Sequence, residues 1–124
     1  MAAPRRPLAK DPLARFCRAL PAATEDVKWG DNLIFSVAGK MFAGFQVPAG
    51  DPIGFKVDPL LFSSLVDHRG IVPAPYMARN FWVHVTDRRK LPQATLEDFL
   101  AGSYRLVAEK LPKKTRAALG LALD

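Results

Sequence analysis

The sequence is poor in the residues that carry most catalytic and metal-binding chemistry. It has one cysteine, Cys17, and two histidines, His68 and His84, among 124 residues. A single cysteine excludes an internal disulfide, and this usage favours a reducing compartment, most simply the cytoplasm. No C-x-x-C, H-E-x-x-H or G-x-S-x-G motif occurs. We therefore expect no enzyme activity, no metal site and no cofactor.

Long apolar runs are also absent. None approaches the roughly 18 residues that a membrane-spanning helix needs, so we expect no membrane partner. The first residues, MAAPRRPLAKDP, hold two arginines but no apolar stretch after them, so we expect no secretory signal. Hydrophobic residues make up 49% of the chain and charged residues 24%, which is typical of a globular domain with a real core. We expect a flexible basic arm at residues 1–10, a single monomeric domain at residues 11–124, and no second domain.

Acidic residues are scarce at the two ends of the chain. The net charge is +6, residues 1–10 carry three cations and no acid, and residues 105–116 carry five cations against Glu109. The middle of the chain is close to neutral. This distribution fits a partner that carries phosphates or carboxylates. The alternative is that basic ends only keep a small protein soluble.

Helix-start signals occur three times. Asp11-Pro12 and Asp58-Pro59 each place an N-cap aspartate before a proline at the first helical position. Thr95 and Asp98 form a capping-box-like pair, which predicts the start of a long helix that ends before Pro112. A short final helix follows that proline.

Alternating segments predict the strands. NLIFSVAGKMFAGFQV reads as a hairpin with its turn near Ala38–Gly39, and its second strand places Met41, Ala43 and Phe45 on one face with Phe42 on the other. DPIGFKVDP and NFWVHVTD hold two further strands. The order α-βββ-α-ββ-α predicts a two-layer α+β domain, with a mainly antiparallel sheet of about five strands. We expect the helices to pack on one face of this sheet and leave the other partly open.

Aromatic and cationic side chains are predicted on the open face. Alternation places Trp82 and His84 there, Lys56 shares that side, and Trp29 flanks it. Such a surface can stack bases and contact phosphates. The alternative is that Trp82 is covered by the loop around Tyr76 and enlarges a second small core.

Two clusters of cations form further candidate phosphate contacts. The loop TDRRKLP contains three of them, Arg88, Arg89 and Lys90. The segment EKLPKKTR contains four, Lys110, Lys113, Lys114 and Arg116. Either cluster can press against a DNA backbone. The alternatives are a solvated loop and a helix end whose dipole favours cations.

A series of short segments suggests a family. PAATEDVKWG, FSVAGKMFA, FKVDP, PAPYMARNFWVHV and SYRLVAEKLPKK occur in this order, and together they resemble the MmcQ/YjbR family of small bacterial proteins. The resemblance runs from about Leu13 to Arg116. It implies a CyaY-like α+β fold and a DNA-binding role through a "double wing" of loops that project beside the sheet.

The resemblance also implies candidate contact residues. The positions in matching motifs are Lys40, Lys56, Trp82 and Lys110. A CyaY-like fold raises the question of iron, which needs an acidic first helix. This one carries Arg15 and Arg18 with only Asp11, so we expect no iron site.

Two functional hypotheses follow. The first is a non-enzymatic DNA-binding protein that contacts phosphates through basic loops and helix ends. The second is an adaptor module that binds a protein or a small ligand on the open aromatic face of the sheet.

Overall fold

One antiparallel sheet forms the centre of the molecule. The computed structural model describes residues 7–68, 70–75, 77 and 80–121, so the predictions that concern Arg5, Arg6 and Tyr76 lie outside the described residues. The sheet has six strands in the order β1-β2-β3-β4-β6-β5. The strands are Ala23–Lys28 (β1), Asn32–Val37 (β2), Lys40–Gln46 (β3), Ile53–Lys56 (β4), Ile71–Pro73 (β5) and Trp82–Val85 (β6).

The strand that the sequence did not predict is β1, which is formed by an acidic segment. It pairs with β2 from Ala23 opposite Val37 to Lys28 opposite Asn32. Most of its side chains are exposed, and Ala23 alone among them packs against the core cluster, so the segment lacks the apolar alternation that predicts a strand. The predicted α+β class and antiparallel sheet are confirmed, with one strand more than expected.

Four α-helices accompany the sheet in the part of the chain that the structure describes. They are Pro12–Arg18 (α1), Pro59–Val66 (α2), Gln93–Glu109 (α3) and Lys113–Ala118 (α4). Side chains of α1, α2 and α3 pack on the same apolar cluster of the sheet, which leaves the opposite sheet face free of helices in the described part of the chain. No described helix has the length and apolar character to cross a membrane.

The helix starts follow local capping chemistry in two cases. The Asp11 carboxylate accepts hydrogen bonds from the backbone N–H groups of Leu13 and Ala14 at 2.9 and 3.1 Å, and Asp58 caps α2 in the same way. The third prediction is wrong. Helix α3 begins at Gln93 after Pro92, with no side-chain cap, because a proline fixes the helical entry without needing a capping box.

Residues 7–10 are held against α1. The Leu8 side chain packs on the core, and Nη2 of Arg18 donates to the Pro7 carbonyl at 2.8 Å. These four residues of the predicted arm are therefore part of the folded domain.

A β-bulge reverses part of the predicted facing of β3. Phe35 pairs with Ala43, but the next residue, Ser36, pairs with Met41, so Phe42 is an extra residue in β3. Phe42 is fully buried in the core and its ring meets Tyr104 edge-on, with centroids 5.3 Å apart. The prediction that Met41 shares a face with Ala43 and Phe45, opposite Phe42, is wrong, because the bulge shifts the alternation by one residue.

Ser103 of α3 closes a gap that this bulge leaves in the sheet. Pairing between β3 and β4 stops at Ala43 and Phe55. At the next position of each strand, the Ser103 hydroxyl bridges the two. It accepts a hydrogen bond from the Lys56 N–H at 2.9 Å and donates one to the Phe42 carbonyl at 2.6 Å. A helix side chain thus replaces a direct strand-to-strand hydrogen bond and fixes the end of β4, where Lys56 lies.

Candidate functional site

A row of four paired residues crosses the face of the sheet that no described helix covers, and we call it the glycine row after its two central members. Ile34 pairs with Gly44, Gly44 with Gly54, and Gly54 with His84. The flanking side chains lie close over the glycines: Cδ1 of Ile34 and Cδ2 of His84 are 3.2 and 3.0 Å from where a Cβ would stand on Gly44 and Gly54. This row forms the floor of a groove of about 560 Å³, which we call the sheet groove.

A second cavity adjoins the sheet groove at the end of the sheet. It has a volume of about 490 Å³ and is formed by the start of β3, the end of β4, the start of β6 and the C-terminal end of α3. Three lysines line it, together with Trp82, and we call it the lysine pocket; they are Lys40, Lys56 and Lys110. Met41, Met77 and Trp82 line both cavities, so the two lie side by side.

Trp82 is a wall of both cavities and not an open platform. Its side chain is only 6% exposed, and it lies outside the main core cluster of the helix side. This places the ring in a second apolar layer, as the alternative interpretation of this residue proposed. The part played there by Tyr76 lies outside the described residues.

One lysine of the pocket, Lys56, holds its charge less favourably than a lysine in water does. Partial burial lowers the pKa of Lys56, and the positive charge of Lys110 lowers it further. Within the described part of the chain, no carboxylate forms an ion pair with any of the three lysines. A bound anion would relieve both the repulsion and the desolvation.

The loop Arg88–Lys90 forms a 3₁₀ turn whose arginines are already paired. Nη1 of Arg88 lies 2.6 Å from the Asp11 carboxylate, and its Nε lies 3.5 Å from Asp51. Arg89 pairs with Asp87 at 3.0 Å. Arg88 is therefore part of the fold, and neither arginine lines the lysine pocket.

The remaining predicted cations are dispersed. Lys90 is exposed in the loop, Lys113 and Lys114 are exposed on α4, and Arg116 is half-buried on the same helix. None of these four lines the lysine pocket. Of the ten predicted site residues, the structure thus brings together the four in the family motifs: Lys40, Lys56, Trp82 and Lys110.

From the sequence, Trp29 was placed only at the edge of the open face, and Gly44 and Gly54 were not identified as site residues. Trp29 stands at the tip of the β1–β2 hairpin, 69% exposed, with φ of 52°, a region that non-glycine residues rarely occupy. Its ring lines the sheet groove. A usable signal was present for Gly44 and Gly54, because glycine inside a strand often marks a close approach.

The structure also bears on nucleophiles and metals. Burial raises the pKa of the Cys17 thiol to about 12, which suits a small core residue and not a nucleophile. Among the described residues, no three His, Cys, Asp or Glu side chains group as metal ligands would.

Comparison with known proteins places these features in context. A family model described as YjbR matches residues 18–106. The Deinococcus radiodurans protein DR2400, a crystal structure with a DUF419 domain, is 30% identical; the match covers 91% of this chain and 88% of that one, with a TM-score of 0.82.

A second solved structure shares the fold alone. It is a Pseudomonas syringae protein with 23% identity, covering 75% of this chain and 93% of its own, with a TM-score of 0.62. No functionally curated protein matches the chain.

Proposed function

This chain belongs to the YjbR family, and we propose that it is a non-enzymatic DNA-binding protein whose phosphate contacts lie in the lysine pocket. We place it in the cytoplasm as a monomer, in keeping with its single buried cysteine. The proposal moves the main contact from the Arg88–Lys90 loop to the end of the sheet.

The observation that carries the proposal is the convergence of three lysines from separate elements. Lys40 begins β3, Lys56 ends β4 and Lys110 follows α3, and all three line one cavity. They are up to 70 residues apart in sequence. Lys40 and Lys110 are exposed and Lys56 is half-buried, so their grouping brings like-charge repulsion that a bound anion would offset.

The lysine pocket suits a phosphate better than a carboxylate-bearing side chain. Phosphate offers several acceptor oxygens to several ammonium groups at once. Ammonium groups act as point charges that contact phosphates without reading sequence. The proposal therefore predicts DNA binding with little sequence preference and a strong dependence on salt.

The test is a titration of labelled DNA at two salt concentrations. If three phosphates are neutralised, duplex affinity should fall roughly 40-fold between about 50 and about 200 mM salt. The double variant Lys40→Gln/Lys110→Gln should bind more weakly, with the slope of log K against log salt smaller by about 2.

The matched control removes the same charge elsewhere. Lys10 and Arg15 are both exposed and lie near α1 on the helix side of the sheet, so Lys10→Gln/Arg15→Gln should keep the wild-type slope. Equal losses in the two double variants would show a diffuse charge effect and contradict the proposal. Absence of binding at low salt would also contradict it.

The second candidate function is an adaptor for a protein or a small ligand. The sheet groove supports it, since its lining is largely apolar and it opens on the free sheet face. Wild-type failure to bind DNA, together with saturable binding of an apolar fluorescent probe that Trp29→Ala weakens, would favour this function over the first.

A further inference from the structure

The chemistry of the two adjoining cavities, the sheet groove and the lysine pocket, changes along the strand direction. At one end Asn32 of β2 pairs with Gln46 of β3, and both amides line the sheet groove. The glycine row follows two residues further along each strand. The opposite end is cationic, with Lys56 paired to Trp82. A ligand lying along the strands would meet amides first, then an apolar floor, then lysines.

The spacing of these rows matches the parts of a nucleotide. Side chains on one face of a strand recur every two residues, so the glycine row and the Lys56 row are about 7 Å apart. A planar group resting on the Ile34 and His84 side chains that cover these glycines would thus lie about 7 Å, the length of one sugar, from an anion beside Lys56. Side-chain amides present a donor and an acceptor to such a group.

Trp29 supplies an aromatic edge to the sheet groove. It is a large exposed apolar side chain, and its positive φ, like that of Gly30, belongs to the turn between β1 and β2. Since the ring lines the sheet groove and Trp82 is buried in its wall, Trp29 is the tryptophan that can meet a ligand.

We infer that the sheet groove is a base-binding subsite and that the protein takes single-stranded DNA, with one unstacked base between Trp29 and the glycine row and the adjoining phosphate in the lysine pocket. This inference rests on the proposed function and names the form of DNA that the same site binds. The groove lies on the sheet face that no described helix covers. A paired base in a duplex is stacked on both sides and cannot enter it.

The experiment compares three DNA probes with equal numbers of phosphates. They are a labelled single strand, the same single strand with its central nucleotides abasic, and a hairpin duplex. The wild-type protein should bind the intact strand most tightly. The abasic strand should bind roughly fivefold to a hundredfold more weakly, the range expected for one or more stacked bases, and quenching of tryptophan fluorescence should accompany binding of the intact strand only.

Two variants test whether the Trp29 ring provides the contact to the base. Trp29→Ala should reduce binding of the intact strand to the level of the abasic strand and leave abasic binding unchanged, because it removes the ring and no charge. Leu60→Ala is the control, since Leu60 is also a large exposed apolar residue but lies on α2, away from both cavities. It should change neither affinity.

The outcomes separate the inference from the proposed function. Equal binding of intact and abasic strands, with loss in Lys40→Gln/Lys110→Gln, would overturn the base subsite and leave phosphate binding in place. Tighter binding of the duplex would also overturn the inference alone. Failure of all three probes to bind at low salt would overturn both.

Discussion

Ser103 shows how one hydroxyl can tie a helix to a sheet. It is fully buried and bridges the Lys56 N–H to the Phe42 carbonyl, at the point where direct pairing between the strands has stopped. Each group would otherwise be a buried backbone polar atom without a partner. The residue therefore affects the sheet and the lysine pocket together.

We predict that Ser103→Ala lowers the free energy of unfolding by about 1–3 kcal/mol, because it leaves a buried donor and a buried acceptor unpaired. Urea denaturation measures this directly. Ser64→Ala, at an exposed position of α2, is the control and should be close to wild type. A Ser103→Ala protein as stable as the control would mean that the two backbone groups find another partner.

Lys56 illustrates a conflict between stability and binding at a single residue. Its pKa is lowered by burial and by Lys110, so the folded protein holds its charge less favourably than the unfolded chain does. We predict that Lys56→Met leaves the thermal midpoint unchanged or raises it, while DNA affinity falls and the salt slope drops by about 0.7–0.9. A lower midpoint would indicate that the charge makes a favourable contact in the folded state.

At the scale of elements, Arg88 joins three parts of the chain. Its guanidinium contacts Asp11, the cap of α1, and the Gly50 carbonyl in the β3–β4 loop, and it lies 5.9 Å from the Phe45 ring centroid. The side chain is 21% exposed. The ion pair between Arg88 and Asp11 is thus intermediate between a surface pair and a buried one.

We predict that Arg88→Gln lowers the free energy of unfolding by about 2 kcal/mol, between the values typical of exposed and of buried pairs. DNA affinity should stay within about twofold of wild type, since a phosphate contact elsewhere is unaffected. Arg89→Gln serves as the comparison, because the Arg89 side chain is 86% exposed and its loss should not be measurable in a denaturation curve. A large drop in DNA affinity for Arg88→Gln at full stability would return this arginine to the binding site.

At the scale of the whole molecule, stability should depend on pH through His84. Burial lowers the pKa of His84 below its ordinary value of 6.5, so the unfolded chain takes up a proton first as the pH falls. The free energy of unfolding should be highest above about 6.5 and should decrease as the pH falls from there towards the lower folded pKa. Urea denaturation across this range tests the prediction. His84→Gln should lose this part of the pH dependence, and equal curves for the two proteins would contradict it.

The parts of the fold that sequence predicts are those with local causes. Asp11-Pro12 and Asp58-Pro59 start helices because the cap and the proline act within one turn. The β2–β3 turn is equally local, since Ala38 and Gly39 both adopt positive φ. The bulge at Phe42 has no such signal, because it results from pairing with β2 and packing against α3.

The site divides in the same way. The family motifs pointed to Lys40, Lys56, Trp82 and Lys110, and the structure brings these four together. Charge alone also pointed to Arg88, but a count of cations does not show that Asp11, 77 residues away, neutralises it. Exposure of Trp29 likewise depends on where the hairpin tip lies in space.

The extra residue at Phe42 reverses, within β3, which alternate residues face the core. The alternation of inward and outward side chains follows one register with β2 up to Met41 and is shifted by one residue from Ala43 onwards. Because a shift of one residue exchanges inside for outside along a strand, Phe42 and Ala43 both enter the core, while Met41 and Gly44 both line the sheet groove. The inserted residue thus adds an aromatic ring to the core without turning Met41 away from the two cavities.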